Sequence, residues 1–207
     1  MTTTPAPDTT LPVTGTATVA PPGPAGTTPA AGTPAGTPVG NAPGAAPARR
    51  PGPPPRPRPR ILLLSTAGSV AALLILVAVG TVLDQPLLIP PLAASMALVA
   101  GAPDLPLSQP RSVVGGQLLS ALTGFAVLAA AGPGFWTAAV AGGLALGVMM
   151  LARTPHSPAA ATAVIVALQS PPFWLFLGLL ALACAVLVAV GLGAARATGR
   201  TYPTYWF

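Results

Sequence analysis

The sequence predicts an all-α membrane protein, a polytopic helical bundle preceded by a long tail without regular structure. Of the 207 residues, 52% are apolar and only 6% are charged, whereas soluble domains carry about a quarter charged residues. From residue 61 onward the chain breaks into six apolar segments. We therefore expect two parts, a tail at residues 1–60 and a transmembrane domain at residues 61–207, with the lipid bilayer as the main partner.

The tail is recognised by its composition. Residues 1–60 hold 17 of the 29 prolines and no aromatic residue, so they cannot bury enough apolar surface to offset the entropy of ordering. Its last eight residues, Pro-Pro-Pro-Arg-Pro-Arg-Pro-Arg at 53–60, favour a polyproline II extension. That run has two possible uses: contact with anionic lipid headgroups, or recruitment of a partner that has an aromatic groove.

The positive charge of the chain indicates membrane orientation rather than nucleic-acid binding. The net charge of +6 comes from nine arginines without any lysine. Five of them directly precede the first apolar segment, namely Arg49, Arg50, Arg56, Arg58 and Arg60. Because cytoplasmic flanks of membrane helices are enriched in positive residues, the sequence predicts a multi-pass protein of the cell membrane with a cytoplasmic N-terminus.

The six apolar segments differ in length. Four are long enough for a spanning helix of about 17–25 residues: residues 61–83, 112–131, 135–152 and 173–195. The other two, residues 87–102 and 158–168, give helices of only about 15–24 Å, less than the ~30 Å hydrocarbon core. We expect four full spans plus two short helices that either cross as broken spans or re-enter, buried in protein or lining a cavity.

The two short segments resemble each other. Aligning residues 91–100 with residues 158–167 matches Pro91 with Pro158 and Ser95 with Thr162. Each short segment lies between two long ones, so each half of the domain has the segment order long, short, long. If the short segments cross, each unit has an odd number of crossings, and the second unit is inverted relative to the first.

Arginine placement favours this inverted 3+3 repeat over a four-crossing arrangement. Six crossings from a cytoplasmic N-terminus place Arg111, Arg153, Arg196 and Arg200 all on the cytoplasmic side, together with the C-terminus. If both short segments re-enter instead, Arg111 and Arg153 lie outside. Asp104 is close enough in sequence to Arg111 to pair with it.

In the inverted arrangement the two short helices begin near each other at the bilayer midplane, at Pro90-Pro91 and at Ser157-Pro158. Helix N-termini carry unpaired N–H groups and a partial positive charge, so a converging pair predicts a site for a small anion. Ser157 is expected to act as an N-cap. The alternative is that these are ordinary helix starts in a tight bundle.

His156 is the chain's only histidine and directly precedes the second helix start. A polar residue in a membrane segment indicates function, and three roles stay open: donation to an anion, proton transfer in symport, or fixing the broken chain through a backbone hydrogen bond. Candidate anion-binding residues are His156, Ser157, Pro158, Thr162, Pro90, Pro91, Ser95 and Gln117. Arg111 and Arg153 are candidates for gating or attracting an anion, with snorkelling at the interface as the alternative.

Two further patterns concern helix packing. Gln117, Ser120 and Thr123 form a polar stripe on one helix, which either lines a path or joins helices. Small residues at 116, 120 and 124, and at 143 and 147 in the next span, have the spacing that allows helices to approach closely.

Four ordered passages, at residues 88–95, 106–116, 149–163 and 200–206, resemble the HPP integral membrane proteins, named for a His-Pro-Pro motif. Members of that family are usually described with four transmembrane spans, and plant-chloroplast and cyanobacterial members are associated with nitrite transport. The resemblance implies that His156 and Pro158 occupy the first and last motif positions. Two residues depart from the pattern: Ser157 replaces the middle proline, and Gln117 stands where members often carry histidine.

The sequence thus predicts a transporter or channel-like carrier of a small anion such as nitrite. The alternative is a non-transporting membrane scaffold that recruits a partner through its Pro-Arg-rich tail. An enzyme is not expected, because the sequence has no His-Glu-x-x-His, no nucleophile elbow and only three carboxylates. Neither a metal site nor a cofactor is predicted, and assembly into a homo-oligomer is left open.

Overall fold

A computed structural model describes residues 55–206 of the chain. These residues form six α-helices and two short 3₁₀ turns, without any strand among them. The helices are α1 (Pro59–Leu83), α2 (Pro90–Gly101), α3 (Pro110–Ala131), α4 (Phe135–Leu151), α5 (Ala160–Gln169) and α6 (Phe173–Thr198). The 3₁₀ turns are Pro106–Ser108 and Ser157–Ala159. The all-α prediction is confirmed, while the predicted tail lies outside the described residues except for its last six.

Three helices are long and apolar enough to cross a membrane. They are α1, α3 and α6, with 25, 22 and 26 residues, and they correspond to three of the four predicted full spans. The fourth, α4, has 17 residues, about 26 Å at 1.5 Å per residue. Its crossing therefore remains a prediction.

Proline fixes where three of these helices begin. Pro59, Pro90 and Pro110 each occupy the first helical position, where the missing N–H would have had no intrahelical partner and the restricted φ already suits a helix. As a result α1 and α3 each begin two residues before the starts at 61 and 112 that hydropathy alone indicates.

Each short helix is preceded by non-helical chain that adds to its reach. The 12 residues of α2 cover about 18 Å, and residues 84–89 before it extend by up to ~3.3 Å each. Helix α5 is preceded by the turn Ser157–Ala159 and by residues 152–156. Both segments are thus long enough for the ~30 Å hydrocarbon core.

The non-helical pieces are packed inside the protein, as backbone at membrane depth must be. In the first piece Leu87 is buried and lies against Gly80 of α1, where an added Cβ would come within 2.6 Å of the Gln85 carbonyl oxygen. In the second piece Thr154 and His156 are buried.

Side-chain contacts bring the ends of several helices to one end of the bundle. Arg200, beyond α6, lies 3.0 Å from the Asp104 carboxylate between α2 and α3. Arg111, in the first turn of α3, donates to the Ala152 carbonyl at the end of α4 over 3.2 Å. The expected pairing of Asp104 with Arg111 is therefore wrong, because Arg200 reaches Asp104 from the far end of the sequence.

We call the end of the bundle that holds these contacts the arginine end. The cleft between the start of α1 and the end of α6 is lined by three more arginines of the same end. The arginines placed there by these contacts or by the adjoining helix termini are Arg56, Arg58, Arg60, Arg111, Arg153, Arg196 and Arg200. One face of the predicted membrane domain thus holds all the arginines of the described part of the chain.

The segment after α6 closes the arginine end. Tyr202 is buried and packs against Gly191, and the Thr204 backbone N–H donates to the Gln109 side-chain oxygen over 2.9 Å. Burial raises the pKa of the Tyr202 phenol to about 12, because the phenolate would lose its hydration.

The second half of the domain packs through small residues. A cluster of buried alanines with Met149 joins α4 to α5, and α3 meets α5 at Gly124, where an added Cβ would lie 2.9 Å from both the Cα and the carbonyl oxygen of Ala163. Gly116 is equally confined by His156. The predicted close approach is confirmed at Gly116 and Gly124 but wrong at Gly143 and Gly147, which have open space around them.

This contrast gives a matched pair of variants. We expect Gly124→Ala to lower the unfolding free energy by about 1–3 kcal/mol, because backbone atoms cannot move aside for the new methyl group. Gly143→Ala is the control and should keep or slightly raise stability, since alanine favours helix by about 1 kcal/mol over glycine. Melting midpoints in detergent measure both, and equal midpoints for the two variants would contradict the packing described.

Candidate functional site

Four buried polar side chains meet where the two broken segments come together. Ser95 lies in α2, Gln117 in α3, His156 just before the second 3₁₀ turn, and Thr162 in α5. His156 is 1% exposed and the other three are fully buried. We call these four residues the polar cluster, and all four were among the residues predicted from the sequence.

His156 is held through both ring nitrogens. Its Nδ1 lies 2.7 Å from the carbonyl oxygen of Leu107, and its Nε2 lies 2.7 Å from the Ser95 hydroxyl oxygen. A carbonyl can only accept, so Nδ1 carries a proton. The imidazole thereby ties α2, the α2–α3 connection and the start of α5 together, which is the backbone-fixing role among the three left open.

The Ser95 hydroxyl has one proton and two nearby acceptors. Its oxygen lies 2.8 Å from the Pro91 carbonyl and 2.7 Å from His156 Nε2, and it accepts from the Gln117 amide over 3.0 Å. With neutral imidazole the hydroxyl donates to Nε2. With imidazolium Nε2 donates instead, and the hydroxyl turns to the Pro91 carbonyl. Both protonation states of His156 are therefore fully hydrogen-bonded.

Gln117 bridges the two broken segments with its two amide ends. Its nitrogen donates to Ser95 of α2, and its oxygen accepts from the Thr162 hydroxyl of α5. Ser95 and Thr162 are the residues that the predicted repeat aligns. They flank one amide at the centre of the cluster.

Of the two other residues in the polar stripe on α3, one joins α3 to another element. The Ser120 hydroxyl donates to the Ala159 carbonyl at the start of α5. Thr123 donates to Leu119 within its own helix over 2.8 Å. Gln117 and Ser120 thus connect elements, while Thr123 connects none.

The cluster lies between the arginine end and the midplane. Gln117 is seven residues beyond Pro110 in α3, and Ser95 is six residues before the end of α2. Each distance is about 9–11 Å along a helix, or roughly a third of the ~30 Å hydrocarbon core.

The helix starts themselves offer few free donors. Pro90 and Pro91 have no N–H, and the N–H groups of Leu92 and Ala93 point to the Ile89 carbonyl at 3.0 and 3.5 Å. The backbone N–H groups at this start are therefore not free for an anion, because two residues are proline and the other two N–H groups point to the Ile89 carbonyl, and the anion site itself stays a prediction. Hydrogen bonds to an anion would have to come from side chains.

The second helix start departs from its prediction too. His156 occupies the N-cap position, without a side-chain cap bond, and the Ala159 N–H donates to the His156 carbonyl over 2.9 Å. The N-cap of α5 is Ala159, also without a side-chain cap bond, and Ser157 lies inside the 3₁₀ turn, so its expected role as N-cap is wrong. Pro158 lies in the 3₁₀ turn and shapes the chain there.

Arg111 and Arg153 lie at the arginine end, apart from the polar cluster. Arg111 is half-buried and bonds the Ala152 carbonyl. Arg153 is exposed and has a left-handed backbone with φ +55°, which ends α4. Both positions agree with the interfacial alternative, and the gating role stays a prediction.

Sequence reasoning missed the residues between α2 and α3 that lie beside the cluster. The Leu107 carbonyl accepts a hydrogen bond from the His156 Nδ1–H, and buried Gln109 donates to the Pro103 and Leu105 carbonyls over 2.8 and 3.1 Å. Gln109 belongs to the passage 106–116 that carried the family resemblance, so a signal was present. Its contacts were not readable, because they involve backbone carbonyls in an irregular loop.

The fold and the cluster define a class of protein: a polytopic helical membrane protein whose two broken segments meet at a buried polar site. The family model described as "HPP, transmembrane region" matches residues 54–203. The chain therefore belongs to the HPP family of membrane proteins, as its motifs indicated.

One relative among curated proteins is a transmembrane protein of Dictyostelium discoideum. It is 32% identical over 124 residues, which cover 56% of this chain and 44% of the relative. The chain thus matches less than half the length of that relative. No solved structure matches the chain.

The bridging role of Gln117 predicts non-additive stability effects. Thr162→Val leaves the Gln117 oxygen unpaired, and Gln117→Leu leaves the partners of the amide unpaired, so each should cost about 1–3 kcal/mol. The double variant should be less destabilised than the sum, with a coupling of about 0.5–3 kcal/mol.

Thr123→Val is the matched control, because its hydroxyl bonds only its own helix. It should melt like the unmodified protein in detergent. Strict additivity of the two cluster substitutions would show that Gln117 and Thr162 are not coupled.

Proposed function

We propose that this protein carries a small inorganic anion across the membrane and that the polar cluster is its binding site. The observation that carries the proposal is the buried His156–Ser95 pair, which joins the two broken segments. Polar groups in a membrane domain are costly and mark substrate pathways, and carriers built from repeats bind substrate where discontinuous helices meet.

The chemistry of the cluster favours an anion. It presents hydrogen-bond donors on Ser95, Gln117 and His156, and none of its four side chains is a carboxylate that would repel negative charge. The two helix starts point their positive dipole ends toward this region, although few of their N–H groups are free. Nitrite, associated with some family members, is a small monoanion and is the substrate we propose.

The topology we propose has six crossings with the arginine end in the cytoplasm. The contacts of Arg200 with Asp104 and of Arg111 with Ala152 support it, since six crossings bring these four residues to one side of the membrane, whereas four crossings place Arg111 on the opposite side from Arg200. The excess of arginine there supports the cytoplasmic orientation. In this arrangement the two halves form the inverted repeat.

Binding requires the cluster to open, since its side chains are closed to solvent. A substrate anion would replace the Ser95–His156 hydrogen bond, which is also the contact between α2 and the segment before α5. Release of that contact frees one half of the domain to rock against the other. The buried cluster thus corresponds to a closed state in the proposed cycle.

Nitrite uptake into proteoliposomes tests the proposal. We expect saturable uptake above that of protein-free liposomes, and a loss of at least tenfold in His156→Ala and in Ser95→Ala, because each removes a donor from the site. Thr123→Val should transport normally, as should a chain lacking residues 1–54.

Folding of each variant is checked by its melting midpoint. Absence of uptake by the unmodified protein, or equal uptake in a folded His156→Ala, would overturn the carrier. Normal membrane insertion without flux, combined with loss of a bound partner on deletion of the tail, would instead support the scaffold.

The two protonation states of the cluster predict a pH effect. An anion beside His156 favours imidazolium, so anion and proton should bind together, and uptake should rise as the external pH falls. The Ser95 hydroxyl and the Leu107 carbonyl bond the ring, and Gln117 bonds Ser95. The charged groups on the elements around it are Arg111, Arg153 and Asp104, and the described contacts of Arg111 and Asp104 are to Ala152 and Arg200.

The pH dependence should disappear in His156→Ala once uptake by protein-free liposomes is subtracted, since nitrous acid crosses bilayers by itself. A slope that persists in His156→Ala would exclude His156 as the proton carrier. It would leave anion transport itself standing.

Cysteine labelling tests the topology. In a Cys184→Ala background, Leu105→Cys should be protected from an impermeant maleimide in intact cells, and Pro133→Cys should react, because both positions are exposed at opposite ends of α3. Reaction at 105 with protection at 133 would overturn the six-crossing arrangement.

A further inference from the structure

We propose that the arginine end carries a specific site for an anionic phospholipid between the first turn of α1 and the last turn of α6. A surface cleft of about 380 Å³ lies there. Three arginines line it, Arg58 and Arg60 from the start of α1 and Arg196 from the last turn of α6. Thr198 lines it too, with its hydroxyl bonded to the Ala194 carbonyl of its own helix over 2.8 Å.

The cleft has no countercharge of its own. None of its lining residues is acidic, and of the two acids in the described part of the chain, Asp104 is bonded to Arg200 and Asp84 caps the far end of α1. Guanidinium groups bind phosphate oxygens through paired hydrogen bonds. Two of the arginines also lie at the positive dipole end of α1, where cations are unfavourable and a phosphate is stabilised.

An apolar groove continues from the cleft along the bundle. It shares Arg60 and Ala197 with the cleft and adds Leu63 and Leu64, one turn further along α1, in a volume of about 610 Å³. Leu63 is 68% exposed, which suits contact with hydrocarbon. A cationic head site joined to an apolar groove fits a phospholipid with its acyl chain, whereas a free phosphate would occupy the cleft alone.

The orientation of the site matches a lipid in a bilayer. Arg58 and Arg60 precede the apolar residues of α1, so the head would lie at the membrane surface and the chain would run inward beside Leu63 and Leu64. Basic pockets between membrane helices on the cytoplasmic side are known to bind phosphorylated lipid heads, with about 1 kcal/mol for each arginine near the surface. This corresponds to roughly fivefold in affinity for each arginine.

Native mass spectrometry of the full-length protein in detergent tests the site. With phosphatidylglycerol and phosphatidylcholine as probes, we expect tighter binding of phosphatidylglycerol, and a loss of about 25-fold in that preference in Arg60→Gln/Arg196→Gln. Arg56→Gln is the matched control, because Arg56 has the same charge but does not line the cleft. It should lose less than twofold.

Two further measurements separate a lipid from other anions. Leu63→Gln should weaken lipid binding while leaving the arginines in place, and glycerol phosphate without acyl chains should not displace bound phosphatidylglycerol at matched concentration. Displacement by glycerol phosphate would overturn the lipid in favour of a soluble phosphate. Equal affinity for both lipids, or unchanged binding in a folded Arg60→Gln/Arg196→Gln, would overturn the site.

Discussion

The domain depends on how the imidazole of His156 is paired. An aromatic ring with two polar nitrogens is costly to bury unless both are bonded, and here the Leu107 carbonyl and the Ser95 hydroxyl satisfy them. These two bonds fix the non-helical chain before α5 against α2 and the connection that follows it. The same pairing helps to meet the requirement that irregular backbone in a membrane be buried in protein, so His156 stabilises the break in the second short segment.

That pairing in turn requires glycine on α3. A Cβ at position 116 would lie 2.6 Å from the His156 Cβ and 3.0 Å from the Thr154 carbonyl oxygen. Eight residues later Gly124 allows the same helix to touch the backbone of α5 at Ala163. Helices in lipid gain little from hydrophobic burial and rely on close packing and hydrogen bonds. The two glycines and Gln117 therefore act together. The glycines let α3 approach the chain before α5 and α5 itself, and the Gln117 amide hydrogen-bonds α2 and α5.

Sequence reasoning predicted what depends on local information and missed what depends on distant partners. Hydropathy over about 20 residues is a local signal, so α1, α3 and α6 were found. Ser95 and Thr162 were found through the internal repeat, and His156 because it is the only histidine of the chain. Gln117 was found from the polar stripe on α3 and from its departure from the family pattern. The Asp104–Arg200 pair joins residues 96 positions apart, and the prediction chose the nearer Arg111. Ser157 was misjudged because capping depends on which backbone N–H its side chain faces, and residue type does not determine that.

The proton count of the cluster bears directly on how a site so tightly closed could bind anything. The Ser95 hydroxyl has one proton, with which it donates a hydrogen bond either to His156 Nε2 or to the Pro91 carbonyl. In each arrangement the hydrogen bonds of Ser95 and His156 are made within the protein, without a ligand. An anion that takes a donor from Ser95 or His156 must therefore break the contact between α2 and the start of α5, and it supplies the acceptor that this contact loses. Binding and separation of the two broken segments are then one event. A conformational change can be driven only by such a difference in the ligand's free energy of interaction with the two states.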